Sequence, residues 1–165
     1  MTSAQHFDAF YSQTRQRVVA AIFALTGDLG DAQDATQEAY ARAWQRWRTV
    51  GEYGDPEAWV RTVARRVATS RWRKARNRDR AHRRHGPAPP SPAPSENTVV
   101  LLAALRELPP EQREAVVLHH IVGLSVEQVA HQTDAPAGTV KARLSRGRKA
   151  LSRLLRFEVK EVSHA

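Results

Sequence analysis

Cationic side chains are the residues of this sequence best suited to chemistry, and they gather in two stretches. Residues 135 to 155, APAGTVKARLSRGRKALSRLL, carry six Lys or Arg residues and no acid. Residues 59 to 78, WVRTVARRVATSRWRKARNR, place further cations beside two tryptophans. Lys and Arg neutralise phosphates and release counterions, and aromatic rings stack on unpaired bases. Both stretches therefore predict a polyanionic partner, with nucleic acid favoured over an acidic membrane surface.

Side chains in a recognisable catalytic arrangement are absent from the sequence. It contains no cysteine, which excludes disulfides, thiolate zinc sites and cysteine nucleophiles. It also has no glycine-rich phosphate loop, HExxH or GxSxG element. His119 and His120 are adjacent, so on a helix we expect them to point in different directions and to be partly buried. We therefore predict no enzyme activity, no metal site, no cofactor and no small-molecule substrate.

The size and composition of the chain limit what it can build. It has 165 residues, is 41% hydrophobic and carries a formal charge of +9, which suits one domain or two small cores. Its N-terminal residues lack the cationic start and apolar centre of a signal peptide, and no apolar run approaches the roughly 20 residues of a membrane span. We expect a cytoplasmic protein without a membrane partner.

Charge and proline content divide the chain into two domains. The net charge is −2 over residues 1–55, +9 over 56–86, −4 over 87–135 and +6 over 136–165. Residues 85 to 97, HGPAPPSPAPSEN, contain five prolines, which disfavour helix and push their neighbours toward extended conformations. We predict domains at residues 1–76 and 97–160, joined by a flexible Pro/Arg-rich linker at 77–96.

Apolar residues three and four positions apart predict helices in both domains, so the expected fold class is all-α. In the first domain, one helix should end at the TGD of residues 26–28. A second should begin near Asp31 and carry Ala35, Ala39, Ala43 and Trp47 on one side. A third should begin after Pro56, a favourable first-turn proline, and end near Lys74. The second domain has room for four helices.

The last two helices of the second domain have the pattern of a helix-turn-helix. Ser125 and Gln128 have capping-box spacing, and the turn QTDAP leads directly into the basic helix. At about 100° per residue, one face of that helix should pack and the opposite face should enter a DNA major groove. The following residues should share the packed face: Val140, Leu144, Gly147, Leu151 and Leu154.

Candidate DNA contacts follow from position on this helix. Lys141 and Arg146 are placed to reach guanine N7 and O6, and Ala142 and Ser145 lie on the same face. Phosphates should be bound by side chains of Arg148, Lys149 and Arg153 and by the amides of Gly138 and Thr139 at the helix N-terminus. A solvated basic face with no partner is the alternative, which we consider weaker because a capped helix comes first.

The third helix of the first domain carries a second set of candidates for nucleic acid. Aromatic rings beside a basic groove suit unstacked bases. Core packing is favoured over base stacking for Trp59, whereas Tyr53 and Trp72 remain open between the two, and a flipped base could lodge in the loop RTVGEYGD. The candidates for this surface are Tyr53, Arg61, Arg65, Arg66, Arg71 and Trp72.

The second helix has two interpretations. Its acidic start and basic end agree with the helix dipole alone. They also fit a docking surface for a protein, formed by Asp34, Gln37, Glu38 and Arg42.

Taken together, these segments resemble a bacterial RNA polymerase sigma factor of the two-domain, extracytoplasmic-function type. GDLGDAQDATQEAYARAWQRW is similar to regions 2.1 to 2.2 of that family, YGDPEAWVRTVARRVATSRWR to regions 2.3 to 2.4, and LRELPPEQREAVVLHHIVGLSVEQVAHQTDAPAGTVKARLSRGRKAL to region 4. The segments YGDPEAWVR and SRWRKAR are similar to the actinobacterial SigE-like subfamily. The resemblance covers most of residues 7 to 155.

This resemblance implies roles and partners. The surface of Asp34, Gln37, Glu38 and Arg42 would dock on the beta-prime clamp helices of core RNA polymerase, with the beta flap as a further contact. The third helix and the loop before it would read and melt the minus 10 element, and the basic helix would read the minus 35 element. Many relatives are held by an anti-sigma factor. A stand-alone helix-turn-helix regulator, and a small helical nucleic-acid enzyme that lacks any visible catalytic cluster, are the competing hypotheses.

Overall fold

The computed structural model describes residues 1–78 and 95–162, and the side chains of all of these except 76, 78 and 157–162. Regular structure in the described ranges is helical, which confirms the all-α prediction. The chain divides into two compact units, Met1–Pro90 and Ser91–Ala165. Most of the predicted linker lies outside the described residues.

The described part of the first unit, residues 1–78, contains four helices: α1 (Ser3–Thr26), α2 (Leu29–Gln45), α3 (Trp47–Val50) and α4 (Pro56–Arg78). A capping box of Thr2 and Gln5 begins α1, and Gly27 ends it in the left-handed conformation at φ 68°, which glycine adopts without steric cost. The cap of α2 is Asp28, whose side chain accepts a hydrogen bond from the Asp31 amide at 2.9 Å. The second helix therefore begins earlier than the sequence predicted.

Small residues on α2 let the helices of the first unit approach closely. Ala32, Ala35, Ala39 and Ala43 are all fully buried, and they form one core with Val18 and Ile22 of α1 and Val60 and Ala64 of α4. Tyr40 of α2 closes this core with a polar contact, because its hydroxyl lies 2.6 Å from Thr14 Oγ1. Trp47, expected on α2, begins α3 instead and packs on Phe7 and Phe10 of α1.

In the second unit, the structure describes residues 95–162, and these also form four α-helices: α5 (Glu96–Arg106), α6 (Pro110–Val116), α7 (Val126–Thr133) and α8 (Ala137–Val162). A π-helical turn, Val117–Ile121, continues α6. Leu105 of α5, Val116 of α6, Leu118 of the π-helical turn, Val129 of α7 and Leu144 of α8 are almost fully buried. The core of this unit thus holds α8 against the three helices before it.

Candidate nucleic-acid interface

The turn between α7 and α8 has the local chemistry of a helix-turn-helix. Ser125 and Gln128 form the predicted capping box, with hydrogen bonds of 2.9 and 3.1 Å between backbone and side chain. Asp134 ends α7 in the left-handed conformation at φ 56°, which short polar side chains tolerate better than most. Pro136 then precedes α8, and the Val140 amide bonds to its carbonyl. The left-handed Asp134 and the following Pro136 therefore fix the point at which α8 begins.

One face of α8 is packed, as the helical rotation predicted. Val140 is fully buried, Leu144 is 2% exposed, and Gly147 is buried as well. A Cβ atom on Gly147 would lie 2.7 Å from Val116 Cγ2, so α8 approaches α6 more closely there than any side chain would allow. This close contact fixes which face of α8 turns outward.

The outward face of α8 carries the predicted cations. Lys141, Arg146, Arg148 and Lys149 are exposed, and Ala142 and Ser145 are half-buried beside them. Gly138 and Thr139 are exposed in the first helical turn, where amides lack intrahelical acceptors. That turn contains no acid, so nothing within it repels a phosphate. Arg153 is exposed further along the helix.

The two adjacent histidines lie in the π-helical turn, and their rings meet with centroids 4.8 Å apart. The two rings meet edge to face, at an interplanar angle of 78°. His119 is half-buried as expected, whereas His120 is exposed. His119 Nδ1 lies 2.7 Å from the carbonyl of Leu124. Burial, the neighbouring His119 and the cation Arg148 together lower the pKa of His120.

The aromatic candidates of the first unit differ in exposure. Trp59 is half-buried and packs against the core of the unit, as favoured from the sequence. Tyr53 is 44% exposed and Trp72 is 55% exposed, so both rings are open to a partner. Arg66 is exposed on α4, and Arg65 is half-buried.

Arg61 does not lie on the basic surface where the sequence placed it. It is 4% exposed, and its ion pair with Glu57 is long, with Nη1 3.9 Å from Oε1. Its Nε and Nη2 atoms are buried without a hydrogen-bond partner. Burial lowers the pKa of the Arg61 guanidinium, against the opposing effect of Asp55 and Glu57. A nucleic acid cannot reach this side chain in the observed conformation.

Arg71 joins the two candidate surfaces of the first unit. Its Nη2 donates to Glu38 Oε2 at 3.0 Å, and its Nη1 lies 3.7 Å from Asp34 Oδ2. Arg42 pairs with the other oxygen of Glu38. A shallow groove here is lined by Asp34, Gln37, Glu38, Ala41 and Arg71. The sequence predicts a nucleic-acid contact for Arg71 and gives no sign of this pairing, because no local signal links residues 33 positions apart.

Other kinds of site find no support in the part of the chain that the structure describes. Residues 1–78 and 95–162 contain no group of three or more His, Asp or Glu side chains placed to bind a metal ion. No helix among the same residues is both long and apolar enough to cross a membrane.

The fold and its exposed surfaces define a helical nucleic-acid-binding protein with two separate basic faces. Comparison with known families gives a more specific result. Residues 10–78 match the family described as Sigma-70 region 2, and residues 98–151 match Sigma-70, region 4. The chain belongs to the sigma-70 family of RNA polymerase sigma factors.

Similar proteins place it among the extracytoplasmic-function type. The chain is 32% identical over 162 residues to the ECF RNA polymerase sigma factor SigK of Mycobacterium sp. (strain KMS), covering 90% of this chain and 82% of the relative. It is 35% identical over 148 residues to the RNA polymerase sigma-E factor of Streptomyces coelicolor, covering 87% and 81%.

A solved structure agrees. The sigma factor RpoE from Bartonella quintana, crystallised with the anti-sigma factor NepR, superposes with a TM-score of 0.76 at 26% identity and covers 91% of this chain and 96% of that one. The chain is therefore a sigma factor, which binds core RNA polymerase and directs promoter-specific initiation of transcription.

Proposed function

We propose a residue-level division of this activity among three surfaces. The α8 face reads the minus 35 element, with Lys141 and Arg146 on base edges, Ala142 and Ser145 beside them, and Gly138, Thr139, Arg148 and Lys149 on phosphates. The exposed face of α4 and the preceding loop read the minus 10 element through Tyr53, Arg65, Arg66, Arg71 and Trp72. The α2 face of Asp34, Gln37, Glu38 and Arg42 docks on the polymerase clamp. Because Arg61 is buried, it is left out of these contacts.

The outward cations of α8, opposite a face that Gly147 locks against α6, carry this proposal. An α-helix fits the major groove of B-form DNA and can present donors there. In the first unit, the exposed rings of Tyr53 and Trp72 supply stacking surfaces that are independent of sequence. The second unit would thus bind double-stranded DNA and the first unit single-stranded DNA. This combination suits a protein that must both position polymerase on a promoter and hold the opened strand.

Promoter recognition and opening need only contacts with DNA and with core polymerase, so we propose that the protein is not an enzyme itself. Contacts with core polymerase and with the displaced strand stabilise the open promoter, and polymerase supplies the chemistry. Since polymerase and chromosomal DNA are its partners, we propose that it acts in the cytoplasm. The co-crystal of RpoE with the anti-sigma factor NepR further supports an anti-sigma factor as a partner.

In vitro transcription tests the proposal. Purified full-length protein is combined with sigma-free core polymerase and a library of templates randomised at the minus 10 and minus 35 positions. We expect transcripts only when both proteins are present, from templates that share two short elements. A stand-alone helix-turn-helix regulator would instead bind duplex DNA tightly without polymerase, fail to bind the core enzyme, and yield no transcript.

A further inference from the structure

Arg71 is positioned on α4 with the nucleic-acid candidates, yet its guanidinium is bound to α2. Both oxygens of Glu38 are occupied by cations, one by Arg42 and the other by Arg71. Asp34 forms a longer ion pair with the same guanidinium. The Arg71 side chain remains 41% exposed, so it is tethered at the surface and not locked in the core.

The pairing changes the charge that the docking surface presents. Asp34 and Glu38 alone would make the outer face of α2 acidic. Arg42 and Arg71 neutralise both carboxylates in the free protein, and the groove between them is lined by side chains of both signs. A partner cation that binds Asp34 or Glu38 must therefore compete with Arg71, because a carboxylate oxygen that already accepts one guanidinium has less to offer a second.

We propose that Arg71 is exchanged between partners during assembly. In the free protein, Glu38 and Asp34 hold Arg71 away from nucleic acid. When core polymerase docks, its own cations take these carboxylates, and Arg71 is released to a phosphate of the promoter strand. This mechanism rests on the proposed docking and minus 10 surfaces and couples them, so that polymerase binding strengthens DNA binding through one side chain.

The size of the effect follows from the exposure of the pair. Surface ion pairs contribute little individually, and this one is only partly shielded. We expect coupling of about 2- to 5-fold in DNA affinity, the range set by a surface pair that is broken or retained. Such a tether is weak enough for a docking partner to displace and strong enough to measure.

Salt dependence isolates the contribution of Arg71. Each cation that neutralises a phosphate of single-stranded DNA adds about 0.7 to the slope of log affinity against log salt. Fluorescence anisotropy would be recorded for the full-length protein, free and in holoenzyme, on a fluorescein-labelled single-stranded oligonucleotide across a KCl series. Thermal unfolding of each variant by circular dichroism verifies that it is folded.

Arg71→Gln should leave the slope of the free protein unchanged and lower that of holoenzyme by about 0.7. Glu38→Gln, tested only in the free protein, should raise the slope by up to the same amount, because it removes the nearer of the two carboxylates that hold Arg71. The double variant Glu38→Gln/Arg71→Gln should lose that gain. Arg73→Gln is the matched control, since Arg73 is an exposed arginine of the same helix, and its effect should be equal in both states.

Two outcomes overturn the exchange. If Arg71→Gln weakens DNA binding equally in the free protein and in holoenzyme, Arg71 is never held back. If Arg71→Gln changes DNA binding neither by the free protein nor by holoenzyme, Arg71 only links α4 to α2. Failure of the proposed function is distinguishable, because then the wild-type protein would not bind core polymerase or support transcription at all.

Discussion

Gly147 of α8 lies so close to Val116 of α6 that an added Cβ atom would stand 2.7 Å from Val116 Cγ2. Val116 is itself 4% exposed and β-branched, so its side chain has few alternative positions. Glycine at this point therefore serves helix packing. The contact also sets the rotation of α8, and with it the direction in which Lys141 and Arg146 point.

Gly147→Ala should destabilise the second unit by about 1 kcal/mol. Alanine favours a helix over glycine by about 1 kcal/mol, but overpacking a close contact costs about 1 to 3 kcal/mol, and here the second effect should dominate. Gly138→Ala is the matched control, because a Cβ there has nothing within 4 Å, and it should be neutral or stabilising. Urea denaturation followed by circular dichroism measures both. A stabilised Gly147→Ala protein would refute the packing argument.

Arg61→Met should leave stability unchanged or raise it by about 1 kcal/mol. The substitution removes a buried charge with two unpartnered nitrogens, and replacing buried charged groups by apolar side chains of similar volume is often neutral or favourable when no buried counter-charge is left unpaired. Glu57 keeps a partner, because Arg17 donates to both of its oxygens. If Arg61 contacted DNA, Arg61→Met would instead weaken holoenzyme binding to promoter DNA at unchanged stability, which anisotropy measurements would detect.

The sequence was sufficient wherever the determining signal is local. The capping box of Ser125 and Gln128 and the packed face with Val140 and Leu144 depend on residues three or four positions apart, and both were confirmed. The all-α class and the family followed from the same kind of periodicity and motif order. The contact partner of Gly147 lies on another helix, so the sequence placed this glycine on the packed face without giving the reason.

Side chains whose environment is set by distant residues could not be predicted. Arg61 and Arg66 read alike in the sequence, yet one is buried and the other exposed, because the packing of α4 against its neighbours decides which face is covered. Arg71 likewise finds its carboxylates on α2. Assignments of individual residues to DNA or polymerase remain predictions, since contacts with a partner depend on the partner as well.

Stability should decline as pH falls below the usual pKa of histidine, in part because of His120. Its pKa in the folded protein is lowered from 6.5 by burial, by His119 and by Arg148. Between the lowered pKa and about 6.5, the unfolded chain binds more protons than the folded chain, so stability rises with pH through this window and then levels off. His120→Gln should flatten that rise. Melting temperatures across about pH 5 to 8 measure it, and an unchanged rise in the variant would contradict the assignment.

Glu38→Lys should impair binding to core polymerase whatever the promoter. It replaces the carboxylate shared by Arg42 and Arg71 with a third cation, so the docking surface loses its acceptor and gains like-charge repulsion. We expect core affinity to fall by about 30-fold or more, since truncating one member of a charge pair at an interface costs about 2 kcal/mol or more. Glu107→Lys makes the same charge change at an exposed position of the second unit and should bind normally in a pull-down. Normal binding by Glu38→Lys would remove α2 from the docking surface.

Lys141→Ala and Arg146→Ala should each reduce discrimination among minus 35 sequences by about 1 to 3 kcal/mol, the contribution of one good base contact. Arg148→Ala should instead weaken transcription from all promoters similarly, because a phosphate contact carries no base information. Arg143→Ala is the control. It also removes one cation, but Arg143 is half-buried at the edge of the packed face. Transcription from templates with single minus 35 substitutions measures all four variants. If Lys141→Ala and Arg146→Ala kept wild-type discrimination and lost only overall activity, the exposed face of α8 would hold the DNA backbone without reading its sequence.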